Sequence, residues 1–228
     1  MRYRATAASA GTARPAFLPR SGAETQLALV SADLRSSLPG RELDHYLRLL
    51  YACRAMVLGH LSDGALSADA ATVLRNLAAH FDLLESRWGE MEQICSVMPR
   101  TLVHDDFVIK NLRIRDTGTG PALMVFDWEF AGWGVPLVDL AQSIDRVASP
   151  DLAAYWSIFR REHSHLDARD IRAVAVCGNI LRLLDQISWA TTGLEIAPIA
   201  QLVKAISKLG VYEREMTEAL SALRRSWS

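Results

Sequence analysis

From Arg41 to Ser62 the residues Leu43, Tyr46, Leu47, Leu50, Cys53, Val57 and Leu61 recur at steps of three and four. That spacing gathers them on one face of a helix, and core packing accounts for them. A second stripe, Val73, Leu77, Phe81, Leu84, Trp88 and Met91, begins after Ser67, a fitting N-cap, and Pro99 ends it. Then the texture changes. The runs "TLVH", "NLRIR" and "ALMVF" between residues 101 and 126 suit strands, and "DTGTG" between the last two makes them a hairpin. Beyond Pro136 the pattern predicts helices near 136–148, 151–163 and 168–190, with Asp151 and Asp167 as caps, and a further one from about 196 to 225 with Pro198 in its first turn. Ahead of all these, "TQLALVSADL" at 25–34 has the apolar content of a strand followed by a polar break, and "SSLPG" turns the chain. The expected class is α+β, mostly helical, with a small β insertion.

Composition narrows the possibilities further. With 228 residues, half of them hydrophobic, the chain buries a full core as one domain, or as one large domain with a remnant of another. A formal net charge of −1 gives no reason to expect nucleic acid or a membrane surface as partner. No apolar run reaches the roughly 20 residues that span a bilayer. Cys53, Cys95 and Cys177 are scattered among apolar residues and read as reduced core thiols, which fits the cytoplasm. The Ala/Gly/Arg-rich opening has no apolar secretory core and reads as a loose terminus.

The chemistry concentrates between residues 101 and 134. Asp106 and Asn111 flank a turn with apolar arms, while Asp127 and Glu129 end the strand "ALMVFDWE" with Trp128 on the opposite side. Hairpin geometry brings all four to one rim. Carboxylates and a carboxamide oxygen are hard ligands that suit magnesium, which commonly rides with substrate phosphates. A remaining aspartate then accepts the proton of an attacking hydroxyl, which completes the equipment for phosphoryl transfer. The plainer reading makes each of these a turn residue or a solvated strand end.

The motif "HDDFVIKN" resembles the H-G-D-x-x-x-x-N catalytic loop of the aminoglycoside phosphotransferase and choline kinase family, and "VFDWEFAGWGVPLVDLA" resembles that family's D-x-E metal motif with its G-D-P-x-x-D-L-A stretch. The resemblance implies a protein-kinase-like C-terminal lobe over 37–228, remnant N-lobe strands and hinge over 15–36, and a loose terminus over 1–14. It implies Asp106 as catalytic base, Asn111, Asp127 and Glu129 as magnesium ligands, and His104 and Asp139 as supports of the site. It places the nucleotide, ATP or another nucleoside triphosphate, near a hinge at Val30 and Asp33. The acceptor would be a small hydroxylated molecule, such as an aminoglycoside-like antibiotic or an aminosugar.

The sequence also departs from that pattern. Asp105 stands where the family has Gly, adding a charge that could raise the pKa of Asp106 or recruit a further cation. Val135 replaces an acidic residue, and no lysine precedes Lys110. By the resemblance, the first three N-lobe strands with their phosphate-binding lysine are missing from this sequence. Two alternatives follow. One is a truncated pseudokinase that binds a ligand, a second copy of itself, or a partner chain covering the incomplete lobe. The other is a metal-dependent hydrolase built on His104, Asp105, Asp106 and Asp127. "HSH" at 163–165 and the acidic residues Asp145, Glu162, Asp185, Glu195 and Glu213 read first as solvated helix faces, although the acidic set would suit a cationic substrate.

Overall fold

The computed structural model describes residues 31–62, 66–118, 120–136, 138–139, 141, 157, 160–161, 163–195 and 199–226. It opens with a short helix, α1 (Ala32–Ser37), whose first turn is capped where Ser31 Oγ accepts the Leu34 N–H at 3.3 Å. The polar break expected at the end of 25–34 is thus helical from Ala32, and the strand expected before it lies outside the described residues. A serine that satisfies an orphan N–H, with Asp33 in the first turn, favours a helix over extended backbone. Residues 1–30, including Val30 and most of the expected N-lobe remnant, lie outside the described residues.

A two-residue strand, β1 (Gly40–Arg41), leads into α2 (Leu43–Ser62), α3 (Ala68–Ser86) and α4 (Trp88–Ser96). The stripe expected to form one helix after Ser67 is divided at Arg87, whose φ of −113° and ψ of 11° leave the helical region. Phe81, Leu84, Trp88 and Met91 stay buried on both sides of the break, so one apolar face serves two helices. Ser67 caps α3 by accepting the Ala70 N–H at 3.2 Å.

Three short strands follow, β2 (Thr101–Val103), β3 (Leu112–Asp116) and β4 (Pro121–Val125), then β5 (Gly132–Gly134). β3 and β4 form the expected antiparallel hairpin, in register from Leu112 opposite Val125 to Asp116 opposite Pro121. β5 pairs parallel with β1 and antiparallel with β2, giving a sheet of order β1-β5-β2. Glycine is required at its centre. A Cβ on Gly134 would overlap the Arg41 carbonyl, and one on Gly132 would meet the Arg41 side chain and the Pro39 carbonyl.

The long helices α5 (Ala168–Glu195) and α6 (Ile199–Ser226) complete the body. Asp167 and Asp170 cap α5 reciprocally: Asp167 Oδ1 accepts the Asp170 N–H at 2.9 Å, and Asp170 Oδ2 accepts the Asp167 N–H at 2.9 Å. The Asp170 N–H and the Arg169 N–H, which also donates to Asp167 Oδ1 at 2.6 Å, hold the Asp167 carboxyl below its usual range. α5 buries residues around most of its circumference, among them Val174, Cys177, Ile180, Leu183, Leu184 and Ile187, as expected of a central helix. It packs against α2, α4 and α6. All three cysteines are free and buried. Of the helix expected near 136–148, Val138, Asp139 and Ala141 are described, helical and buried. The helix near 151–163, with its cap Asp151, falls largely outside the described residues, and "HSH" sits in an irregular turn rather than on a helix. Among the described residues no helix is long and apolar enough to cross a membrane.

Candidate active site

The segment from His104 to Asn111 joins β2 to the hairpin and is braced from several directions. Asp139, itself buried, accepts the His104 N–H on Oδ2 at 2.8 Å and the Asp105 N–H on Oδ1 at 2.7 Å. One carboxylate thus satisfies two successive backbone donors that the irregular loop leaves without a ladder. The His104 ring is also buried. Its Nδ1 accepts the Asp106 N–H at 3.2 Å, so the ring proton lies on Nε2 and is donated to the Phe126 carbonyl at 2.8 Å. His104 therefore joins the loop to the end of β4, with its ring 4.6 Å from that of Trp128.

Asp105 and Asp127, with φ of 68° and 67°, are the non-glycine residues in left-handed backbone among those described. Aspartate tolerates that region better than most residues, and such strain collects where the surroundings fix it. Asp105 is fixed firmly. Its buried carboxylate meets Arg41 Nε at 3.2 Å and the Tyr46 hydroxyl at 3.2 Å, and burial pushes its pKa up while Arg41 opposes. The cation that faces this carboxylate is Arg41. Arg41 also donates to the Phe130 carbonyl, from Nε at 3.2 Å and Nη2 at 2.9 Å, so one guanidinium ties β1 to the turn after the hairpin.

Asp106 projects differently. Asn111 Nδ2 donates to its Oδ2 at 2.9 Å and to its backbone carbonyl at 3.0 Å, and Lys110 Nζ lies 2.9 Å from the same Oδ2. The other oxygen, Oδ1, has no hydrogen-bond partner among the described residues. Asn111 is buried, and its amide oxygen likewise remains available. Asp127 and Glu129 do not end a strand, as the hairpin reading expected. β4 stops at Val125, and Asp127 leads into the one-turn 3-10 helix Trp128–Phe130. The left-handed step at Asp127 redirects the chain where a continued strand would have placed Asp127 and Glu129 on one face.

Asp106, Asp127 and Glu129 line a single cleft of about 750 Å³, together with Lys110, Arg41 and Asp185. Asn111 does not itself line the cleft but holds Asp106, which does, and Asp33 is exposed and stands outside it. Among the described residues no three His, Cys, Asp or Glu side chains converge closely enough to hold a metal by themselves. Hard oxygen donors from Asp127, Glu129 and the Asn111 amide nevertheless suit magnesium, which usually takes one or two carboxylates and completes its shell with water and substrate phosphate. On the far wall, Asp185 Oδ2 is buried without a hydrogen-bond partner. Burial and then the charge of Asp105 push that carboxyl up to about 8. Nearby, Trp189 is well exposed and meets Phe130 edge-on at 5.1 Å. Along the chain, Arg41 and Tyr46 look like a helix edge and a core residue. Lys110 had a usable signal in its i,i+4 spacing from Asp106, whereas Arg41 reaches Phe130 across 89 residues of chain.

The phosphotransferase enzyme family model matches residues 12–173, more than half of the sequence. The chain belongs to that family. Its fold is similar to an ethanolamine kinase of Plasmodium vivax, with a TM-score of 0.54 at 13% identity over 86% of this chain, and to a choline kinase of Cryptosporidium parvum, with 0.57 at 10% identity over 90%. The fold is thus kinase-like, mostly helical with small sheets. The chain spans 58% and 65% of the lengths of those two kinases. No curated protein matches it at a significant level.

Proposed function

We propose that this member of the phosphotransferase family moves the γ-phosphoryl group of ATP, or of another nucleoside triphosphate, to a hydroxyl of a small molecule in a magnesium-dependent reaction. The observation that carries this reading is the state of Asp106. Its Oδ2 is held by Asn111 and Lys110, while Oδ1 faces no protein partner among the described residues. A carboxylate fixed at one oxygen and open at the other orients a hydroxyl and takes its proton. Asp127 and the Asn111 amide oxygen would hold the metal, with Glu129 as a further donor. The bound ion would neutralise charge on the β- and γ-phosphates.

The acceptor side favours a cation. Asp185 lines the cleft and keeps its Oδ2 buried just behind the surface without a hydrogen-bond partner, and Trp189 lines the same cleft. A bound ammonium would return Asp185 to its charged form and stack on the indole face. Ethanolamine and choline are the substrates named for the two similar kinases, and amino alcohols and aminosugars carry the same pairing of hydroxyl and ammonium.

The test is a melting curve with ATP and magnesium for the native chain and for Asp127→Ala, followed by phosphoryl-transfer assays on ethanolamine, choline and glucosamine. A ligand at 100 times its dissociation constant adds about 2.7 kcal/mol of stability. The expected result is a magnesium-dependent shift lost in Asp127→Ala, and turnover reduced about 10²- to 10⁴-fold in Asp106→Asn. A shift unchanged in Asp127→Ala would remove the metal assignment.

A further inference from the structure

Phosphoryl transfer requires positive charge on the oxygens of the group in flight, beyond what a metal supplies. The basic side chains lining the cleft, among the described residues, differ in how far they are committed. Arg41 spends its guanidinium on Asp105, on the Phe130 carbonyl and on His45 Nε2 at 2.9 Å. His45 is pushed down to about 4 by burial and then by Arg41, so it carries no charge near neutral pH. Lys110 makes one ion pair, to Asp106 Oδ2 at 2.9 Å, and its side chain is 67% exposed. An ammonium has three donors, and the structure uses one.

Its position follows from the local fold. The 3-10 turn Ile109–Asn111 brings Lys110 back over the loop, beside the base and immediately ahead of the buried Asn111. The carboxylates of Asp127 and Glu129 add to the field around its ammonium. A hydroxyl on Asp106 Oδ1 would lie about 2.7 Å from that oxygen, with the phosphorus it attacks roughly 3–3.5 Å further on. A flexible ammonium anchored on Oδ2 reaches the oxygens of that phosphorus.

On the phosphotransferase reading, we propose that Lys110 is the chain's phosphate-contacting cation, bridging the base Asp106 and a non-bridging oxygen of the transferring phosphoryl group. In the step, Asp106 takes the hydroxyl proton as the new O–P bond forms. The bond from the γ-phosphorus to the leaving nucleoside diphosphate breaks, and its electron pair stays on the β-phosphate oxygen. Lys110 keeps its proton throughout and balances charge on the phosphoryl oxygens. Lys110 is the sole lysine before Lys204, in a chain that otherwise uses arginine for positive charge up to that point. A compact ammonium suits a crowded phosphoryl oxygen, whereas arginine's planar fork is bulkier.

The experiment is equilibrium binding of inorganic tripolyphosphate with magnesium, and of adenosine alone, to the native chain and to Lys110→Met, Lys110→Arg, Asp106→Asn and the Lys110→Met/Asp106→Asn double variant. Lys110→Met should weaken tripolyphosphate about tenfold, as expected for an exposed charge-assisted contact, and leave adenosine unchanged. Lys110→Arg keeps the charge but not the compact shape, so it should lose affinity for tripolyphosphate, though less than Lys110→Met. The Lys110→Met loss should persist in the Asp106→Asn background, because a direct phosphate contact does not act through the base. Native-like tripolyphosphate binding by Lys110→Met, an equal loss for adenosine, or disappearance of the loss in the Asp106→Asn background would each overturn this role. A native chain that binds no tripolyphosphate would overturn the phosphotransferase reading itself, a result distinct from all of these.

Discussion

Asp139→Ala removes the carboxylate that accepts the His104 and Asp105 N–H groups at 2.8 and 2.7 Å. No helix or strand ladder replaces it, because β2 ends at Val103. A buried donor left without an acceptor costs about 1–3 kcal/mol, with the upper part of that range fitting bonds to a charged group. The His104 amide is buried and the Asp105 amide partly so, which places the sum at roughly 3–5 kcal/mol. That is a large share of the 5–15 kcal/mol typical of a whole domain. Asp139→Asn keeps the volume and one acceptor oxygen but turns an NH₂ toward the other backbone donor, so it should lose about half as much. Urea unfolding followed by far-UV circular dichroism reads both, as a fall in midpoint with the slope unchanged. A loss below about 1 kcal/mol in Asp139→Ala would refute the view that this side chain holds the loop.

Two further perturbations test the surroundings of the site. Burial raises Asp185 to about 8, so the folded state keeps a proton that the unfolded chain releases near 3.8. The stability this group contributes is complete below that lower value and is lost as pH rises to about 8. Asp185→Asn should therefore gain on the native chain between those limits by at most about 1.4 kcal/mol per pH unit, measured as urea midpoints across pH. A difference flat in pH would contradict the burial of Asp185. Gly134→Ala should cost about 1–3 kcal/mol or more, since its Cβ would overlap the Arg41 carbonyl and push β1 from β5. Gly40→Ala, whose Cβ meets nothing within 4 Å, serves as the control and should stay within about 0.5 kcal/mol.

Much of this molecule could be read along the chain because the relevant forces are local. The stripe from Leu43 to Leu61 became α2 because a 3.6-residue period needs only neighbours to declare a face. Ser67 and Asp167 became caps because their side chains reach backbone donors two or three residues away. The turn between Asp116 and Pro121 closed the β3–β4 hairpin for the same reason. Asp106, Asn111, Asp127 and Glu129 stood out as polar groups set in apolar runs, while His104 and Asp139 were marked only by the resemblance of their motifs to the family's.

What tertiary structure decided was their division of labour. Nothing in the order of residues distinguishes Asp105 from its neighbour Asp106. A left-handed step sends the first carboxylate inward to Arg41 and Tyr46, from an edge strand and a helix some 60 residues upstream, and leaves the second in the cleft. The break at Arg87 and the left-handed step at Asp127 were likewise not legible, because neither residue is a proline or glycine. Asp185 looked like one more solvated helix acid. Its altered protonation comes from the apolar wall and the charge of Asp105, both brought to it by the fold. Local propensity sets which groups a segment offers, but desolvation and Coulomb interactions depend on distances in space, and those exist only once the distant segments have met.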